Sequence, residues 1–285
     1  MKKRRIVIIG SGNVGAAISY ALMYQSDIQE IVLLDVNRER ALGVAMDINH
    51  GIHQISTCFI RVGTYADCVD SDAVIICAGK NRTKNQTREE LLEENQKIMD
   101  QILTEMMPYY TDSFVIVVSN PVDALTEYII KRNIFSEKKV IGTGCLLDTS
   151  RWISVLSDYL KVPSSKIEAY AVGKHGDKHI LLWEFVKVEN VSIKKYCEKN
   201  NIVWNEKIKQ DLHFCVANMG TEIIAKKGIS QYGIATVVAY LISIIFGDKK
   251  VLSVVGTICN DENKCVKSRL CYIGNGGIEN AFPNT

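Results

Sequence analysis

The 285-residue chain reads as an α/β protein, a doubly wound parallel sheet over residues 1–143 followed by an α+β portion over 144–285. Three observations predict this. Short β-branched runs alternate with longer helical patterns in the first half, which implies parallel strands joined by right-handed crossovers. A glycine-rich turn follows the first of those runs and opens the first helical stretch. After about residue 145 the alternation gives way to a helix, strand-like segments, two more helices and closing strands.

Each element has its own signal. Residues 6–9, 31–34, 73–77, 114–118 and 140–141 are apolar runs bounded by Gly, Asp or Asn, as buried strands are. Residues 14–24, 38–49, 89–110 and 122–132 have helical spacing. Beyond them a helix is expected over 148–160, strands over 167–172 and 180–188, and helices over 205–227 and 232–246. Strands over 251–259 and 266–273 close the chain. The run 6–9 follows Lys2-Lys3-Arg4-Arg5 but is too short for a signal peptide, and 237–246 is about half a membrane span.

Composition narrows the function. With 34 basic and 32 acidic residues the charge is balanced, so neither nucleic acid nor an anionic membrane is an expected partner. The nine cysteines are odd in number and scattered, which suits a reduced cytoplasmic interior. Cys259, Cys265 and Cys271 recur at six-residue spacing in strand-like sequence, and with no close Cys-x-x-Cys pair no metal site is expected.

Two constellations carry chemistry. Gly10-Ser11-Gly12-Asn13-Val14-Gly15 lies between the first strand and first helix, and Asp35 ends the second strand twenty residues on. Glycine permits the tight turn and the backbone's approach to a pyrophosphate, while the helix N-terminus offers aligned N–H groups. A carboxylate at the second strand accepts from a ribose diol and repels a 2′-phosphate, favouring NAD over NADP. The bland reading is a glycine turn with an incidental acid. The second constellation is His175, exposed between Gly173-Lys174 and Gly176-Asp177, with Asp148 and Arg151 in Leu147-Asp148-Thr149-Ser150-Arg151. An imidazole exchanges protons near neutral pH, a carboxylate can orient it, and a guanidinium can hold an anion. Alternatively Asp148 and Arg151 are an ordinary i,i+3 helix pair. His175 and His179 have the spacing of a metal pair, but Gly176 between them argues against the helix that would align them.

With these pieces in order, the chain resembles the L-lactate/L-malate dehydrogenase superfamily along essentially its whole length, and bacterial-type L-lactate dehydrogenases most. The carrying runs are residues 10–15, Ala45-Met46-Asp47-Ile48-Asn49-His50-Gly51, residues 78–88, Ser119-Asn120-Pro121-Val122-Asp123, and residues 147–151 and 173–177. The resemblance implies a Rossmann domain that binds NAD, a substrate domain, and reversible oxidation of an L-2-hydroxy acid in a homodimer or homotetramer. It makes His175 the proton carrier, Asp148 the group that fixes its tautomer, and Arg151 the bidentate clamp on the substrate carboxylate. Arg88 would polarise the reacting carbonyl, and Asn120 would contact nicotinamide and substrate. Arg82 and Ser230 would line the substrate pocket. Expected cofactor contacts are Gly10, Gly12, Asn13, Val14, Gly15, Asp35, Ala78, Gly79, Asn120 and Ile234.

The resemblance leaves the acid open. Arg82, six residues before Arg88, suits a second carboxylate and so malate, whereas residues 45–51, 170–172 and Trp183 resemble lactate dehydrogenases. Lactate is the first expectation, with malate or a bulkier 2-keto acid as the alternative. Ser230 stands where lactate enzymes usually carry threonine, and Lys84-Asn85 where the loop usually has Pro-Gly. Ile153 and Glu168 occupy the positions of an arginine and a histidine that bind fructose 1,6-bisphosphate in many bacterial relatives, so that activation is not expected. Lys174 replaces an acidic or small residue and is expected to point outward. The family usually continues past residue 278 through a long amphipathic helix, and this chain stops at Thr285. That keeps a second class open, an NAD-binding protein with weak or no catalysis.

Overall fold

The computed structural model describes residues 3–81, 83, 86–176, 178–259, 265–279 and 282. The first half lays down β1 (Arg4–Ile9), α1 (Asn13–Leu22), β2 (Ile28–Leu34), α2 (Arg38–Ile52), β3 (Phe59–Val62), β4 (Ala73–Ile76), α3 (Arg88–Met106), β5 (Phe114–Val117), α4 (Val122–Ile130) and β6 (Val140–Gly142). Their strands pair in parallel in the order β3-β2-β1-β4-β5-β6, the doubly wound pattern. Both faces of the sheet are covered. Ile6 and Ile8 of β1 join one apolar cluster, and Val7 and Ile9 join the other, as a two-residue side-chain period requires.

The second half continues with α5 (Leu146–Leu160), β7 (Ile167–Glu168), β8 (Ala171–Gly173), β9 (His179–Leu181), β10 (Lys187–Val188), β11 (Val191–Ser192), α6 (Ile193–Lys199), α7 (Glu206–Lys227), α8 (Tyr232–Phe246), β12 (Val251–Ile258), β13 (Val266–Gly274) and β14 (Gly277–Glu279). β12 pairs antiparallel with β6 through Gly256 and Gly142, and the sheet runs on through β13, β8 and β9. One sheet therefore joins the phosphate-loop end to the catalytic end. α8 lays Val238, Ile242 and Ile245 in the same apolar cluster as Ile18 and Leu22 of α1, so a late helix covers an early one. A third cluster, with Trp152, Leu156, Val172 and Leu212, holds α5, β8 and α7 together.

Some elements differ from expectation. The single strand expected over 167–172 is two strands in different sheets, β7 beside β10 and β8 between β13 and β9. The stretch 180–188 is broken by a turn of 3-10 helix at Trp183–Phe185. The helix expected over 89–110 ends at Met106, where Pro108 lacks the N–H to continue it. β3 was not anticipated, because its only fully buried residue is Ile60 and it carries Arg61, which pairs with Glu30 and Asp67. Among the described residues no helix is long and apolar enough to cross a membrane.

Candidate active site

The loop after β1 is built as glycine chemistry requires. Gly10 has φ +98°, and a Cβ there would lie 2.6 Å from Ala78 N. A Cβ on Gly15 would come 1.9 Å from the Gly10 carbonyl oxygen, so the helix can pass this close only without a side chain. Gly12 is different: no atom lies within 4 Å of the corresponding point, and the space opens outward. No side chain caps α1 and no acid occupies its first turn, so Asn13 and Val14 begin a helix whose leading N–H groups can donate to an anion. Asp35 is fixed at the end of β2. Its Oδ2 accepts from Ser11 N–H and Oγ–H at 2.7 and 3.0 Å, its Oδ1 from Asn37 N–H at 2.8 Å, and Arg40 lies alongside at 3.1 Å. Burial works to raise its pKa, but these donors hold the carboxyl below the usual aspartate range. Val36 next to it is fully exposed.

At the other end of the sheet, His175 Nδ1 donates to Asp148 Oδ2 at 2.7 Å. The other oxygen of Asp148 accepts from Arg151 Nη1 at 3.1 Å. Asp148 is in the first turn of α5 with its side chain 3% exposed, whereas the His175 side chain is 28% exposed. One buried carboxylate thus links an accessible imidazole to a guanidinium. The i,i+3 pair of Asp148 and Arg151 exists, but as one arm of this arrangement. Arg151 Nε is buried without a hydrogen-bond partner. Gly220 of α7 makes room for the guanidinium, since a Cβ there would lie 3.2 Å from Nη2.

Three residues that sequence reasoning gave no role hold this site in shape. Asp123, in the first turn of α4, accepts from His175 N–H at 2.8 Å and ties the histidine's backbone to the parallel sheet. Burial pushes Asp123 up, opposed by that hydrogen bond and by the His175 and Lys174 charges. Asn95 of α3 is buried, and its amide accepts from Lys80 N–H at 2.8 Å and donates to the Asn120 carbonyl at 2.7 Å. One side chain therefore fixes the loops after β4 and β5 against each other. Its signal was available: Asn95 interrupts the apolar stripe of Leu91, Met99, Ile102 and Met106 on the buried face of α3. His179, the third, is buried with Nδ1 2.5 Å from the Gly176 carbonyl, so it donates across the turn that carries His175. Nδ1 of each histidine is thus engaged within the protein, and among the described residues no group of three or more His, Cys, Asp or Glu is placed to hold a metal. Replacing His179 with phenylalanine is expected to lower kcat/KM by about 3–10-fold, the worth of one neutral hydrogen bond. Asparagine, whose amide can stand in for Nδ1, should restore most of it; equal losses in the two variants would show that the bond does not position the turn.

The remaining expected positions are placed less closely. Arg88 is exposed and begins α3, behind a reciprocal cap between Thr87 and Glu90. Asn120 is exposed, with its Oδ1 accepting from Val122 N–H at 3.3 Å. Ala78 and Gly79 form the start of the loop after β4, and Ser119 Oγ donates to the Ala78 carbonyl at 2.6 Å. Ser230 is partly buried in the link before α8, and Ile234 packs in the first turn of that helix. Lys174 is exposed. Arg82, Lys84, Asn85 and Asp177 lie outside the described residues.

The model of the lactate/malate dehydrogenase NAD-binding domain matches residues 4–142, and that of the family's alpha/beta C-terminal domain matches 145–283. The chain belongs to the lactate/malate dehydrogenase family. It is 36% identical to an L-lactate dehydrogenase of Clostridium botulinum over 99% of this chain and 91% of that protein. It is 33% identical to an L-lactate dehydrogenase of Acetivibrio thermocellus, over 97% and 88% of the two chains. A minor L-lactate dehydrogenase from Enterococcus mundtii superposes with a TM-score of 0.93 at 31% identity, covering 98% of this chain and 90% of that one. A lactate dehydrogenase from a deep-sea metagenome library superposes with 0.94 at 28% identity, over 100% and 92%.

As a member of this family the protein is an NAD-dependent oxidoreductase, and its phosphate loop fits that cofactor. The open space at Gly12 and the uncapped N-terminus of α1 suit the pyrophosphate, and Asp35 suits the adenosine ribose. Family members act on small molecules and are typically oligomeric.

Proposed function

We propose that the chain interconverts a 2-keto acid and its L-2-hydroxy acid, pyruvate and L-lactate first, with His175 as proton carrier and Arg151 as carboxylate clamp. The observation that carries this reading is the shared carboxylate, with Asp148 bonded through one oxygen to His175 and through the other to Arg151. A binding module has no use for that relay.

NAD, when bound, accepts or supplies the hydride at the substrate's C2. The protein does the rest. With Nδ1 held by Asp148, Nε2 of His175 is the atom free to take the hydroxyl proton in oxidation and return it in reduction. Asp148 stays ionised throughout: burial opposes its charge, but the His175 hydrogen bond and the Arg151 charge keep it below the usual range. Arg151 presents a planar fork to the carboxylate. Arg88 would polarise the reacting carbonyl, Asn120 would serve both nicotinamide and substrate, Arg82 and Ser230 would set which substrate is taken, and Ile234 would offer the nicotinamide an apolar surface. Residues 1–143 form the cofactor domain and 144–285 the substrate domain. Neither Ile153 nor Glu168, which pairs with Lys187, can bind a phosphate, so fructose 1,6-bisphosphate should leave the apparent KM unchanged.

The deciding experiment is NADH oxidation with pyruvate and with oxaloacetate. Faster turnover of pyruvate supports lactate. Preference for oxaloacetate moves the assignment to malate, the reading Arg82 favours. NADH binding without turnover of either acid would overturn the catalytic reading.

The pH dependence follows from His175. Burial disfavours its imidazolium, but the hydrogen bond and charge of Asp148, with the charge of Asp123, prevail and raise its pKa above the ordinary value. Reduction needs the imidazolium, so its rate should persist above about pH 6.5 and fall as pH rises through the His175 pKa. Oxidation should rise across the same window. The imidazolium's contribution to stability is likewise lost as pH rises through that pKa. Asp148→Asn removes the main raising influence and should shift both profiles to lower pH. Superimposable profiles for variant and wild type would exclude Asp148 from this role.

A further inference from the structure

The register of β12 on β13 ends at Ile258 opposite Val266, which brings Cys259 opposite Cys265 at the neck of the hairpin. Cys259 N–H donates to the Cys265 carbonyl at 2.8 Å, and the Cys265 thiol is near enough to push the Cys259 thiol up. Both cysteines are free. Directly opposed residues of an antiparallel ladder have Cα atoms about 4.5–5.5 Å apart, within the range of about 4.4–6.8 Å that a disulfide spans. We infer that Cys259 and Cys265 are a dithiol site that low-molecular-weight disulfides oxidise to an intrachain disulfide. This goes beyond the proposed dehydrogenase function and does not rest on it.

The two thiols are unequal. Cys265 is partly exposed, whereas Cys259 is 9% exposed. Burial and the neighbouring Cys265 push the Cys259 thiol up, and the charges of Arg269 and Lys267 pull it back. Cys265 is therefore the thiol an incoming reagent meets, and Cys259 the one that resolves the adduct. The neck is held in register around them. Val266 N–H donates to Glu127 Oε2 at 3.0 Å, and Arg269 Nη1 to the Ile258 carbonyl at 3.4 Å, so the sulfurs stay side by side when the first adduct forms. Cβ atoms of an opposed pair sit about 4.5–5.5 Å apart, slightly wider than the roughly 3.5–4.5 Å of a relaxed bridge. Closing the bridge draws the strands together, which makes it readily reducible and the site reversible.

The chemistry balances with glutathione disulfide as oxidant. The Cys265 thiolate attacks one glutathione sulfur; the glutathione S–S bond breaks, a Cys265–glutathione bond forms, and one glutathione thiolate leaves. The Cys259 thiol gives its proton to solvent and attacks the Cys265 sulfur, expelling the second glutathione thiolate. Two protein thiols lose two electrons, and one small disulfide becomes two thiols.

Lys264 lies between the two cysteines, so trypsin separates them and a disulfide rejoins the pieces. The full chain is incubated with glutathione disulfide, denatured, alkylated and digested, with the exposed Cys215 as a marker that reagent was available. The expected product is residues 251–264 linked to 265–267, two hydrogens lighter than the separate peptides and absent after dithiothreitol. In Cys259→Ser, peptide 265–267 should instead carry one glutathione. In the wild type, Cys265 carrying glutathione beside an alkylated Cys259 would overturn the inference. So would alkylation of both once Cys215 has reacted.

Discussion

Asparagine at position 175 is expected to lower kcat/KM for 2-keto acid reduction by about 10²–10⁴-fold, the usual worth of a positioned proton donor. NADH should still bind. The amide of asparagine can donate to Asp148 as Nδ1 does, so the buried carboxylate keeps a partner and the turn between Gly173 and Gly176 is not emptied. What disappears is the group that changes its proton count. Steady-state rates together with NADH fluorescence titration make the distinction. A fall of less than about tenfold with cofactor binding intact would mean that the transferred proton has another source.

Arg151→Lys should raise the KM for the keto acid by about 10²-fold and also depress kcat. A charged hydrogen bond contributes about 1.5–3 kcal/mol, and lysine cannot reproduce the two parallel bonds of a guanidinium. The surroundings sharpen the effect. Arg151 Nη1 is anchored on Asp148, Gly220 leaves space at its far edge, and its Nε is buried without a partner. A side chain on α7 at Gly220 would crowd the guanidinium. A lysine ammonium in its place would lose the anchor as well as the fork, and so disturb His175 through their common carboxylate. Substrate saturation curves check this, and an unchanged KM would place the carboxylate elsewhere.

Much of this site was legible in the sequence because its parts are local. Asp148 and Arg151 are one turn of α5 apart, and the phosphate loop is six consecutive residues that run from the end of a strand into the first turn of a helix. His175 was legible because the glycines around it exclude a helix. The supports were harder to see because they act across long separations. Asp123 reaches a backbone N–H 52 residues on, and Asn95 bonds a carbonyl 25 residues away. Each could have been flagged as polar where its helix packs inward, yet the partner becomes visible only when the strands are in place. The fold followed the same rule. Long apolar runs such as β1 and β4 stood out, whereas the two-residue strands β7, β10 and β11 carry too few side chains for any period to show.

The pairing of β12 with β6, and the packing of α8 on α1, have a consequence for synthesis. When residue 143 leaves the ribosome, β6 has β5 on one side but still lacks β12 on the other, and the apolar side of α1 lacks its lid. α8 arrives only with residues 232–246 and β12 with 251–258, beginning 89 and 108 positions after residue 143. Until then the nascent chain presents an unpaired strand edge beside bare isoleucines, the kind of surface that invites association with other chains. The interval during which this protein most needs protection from its neighbours is therefore written into the order of its own strands.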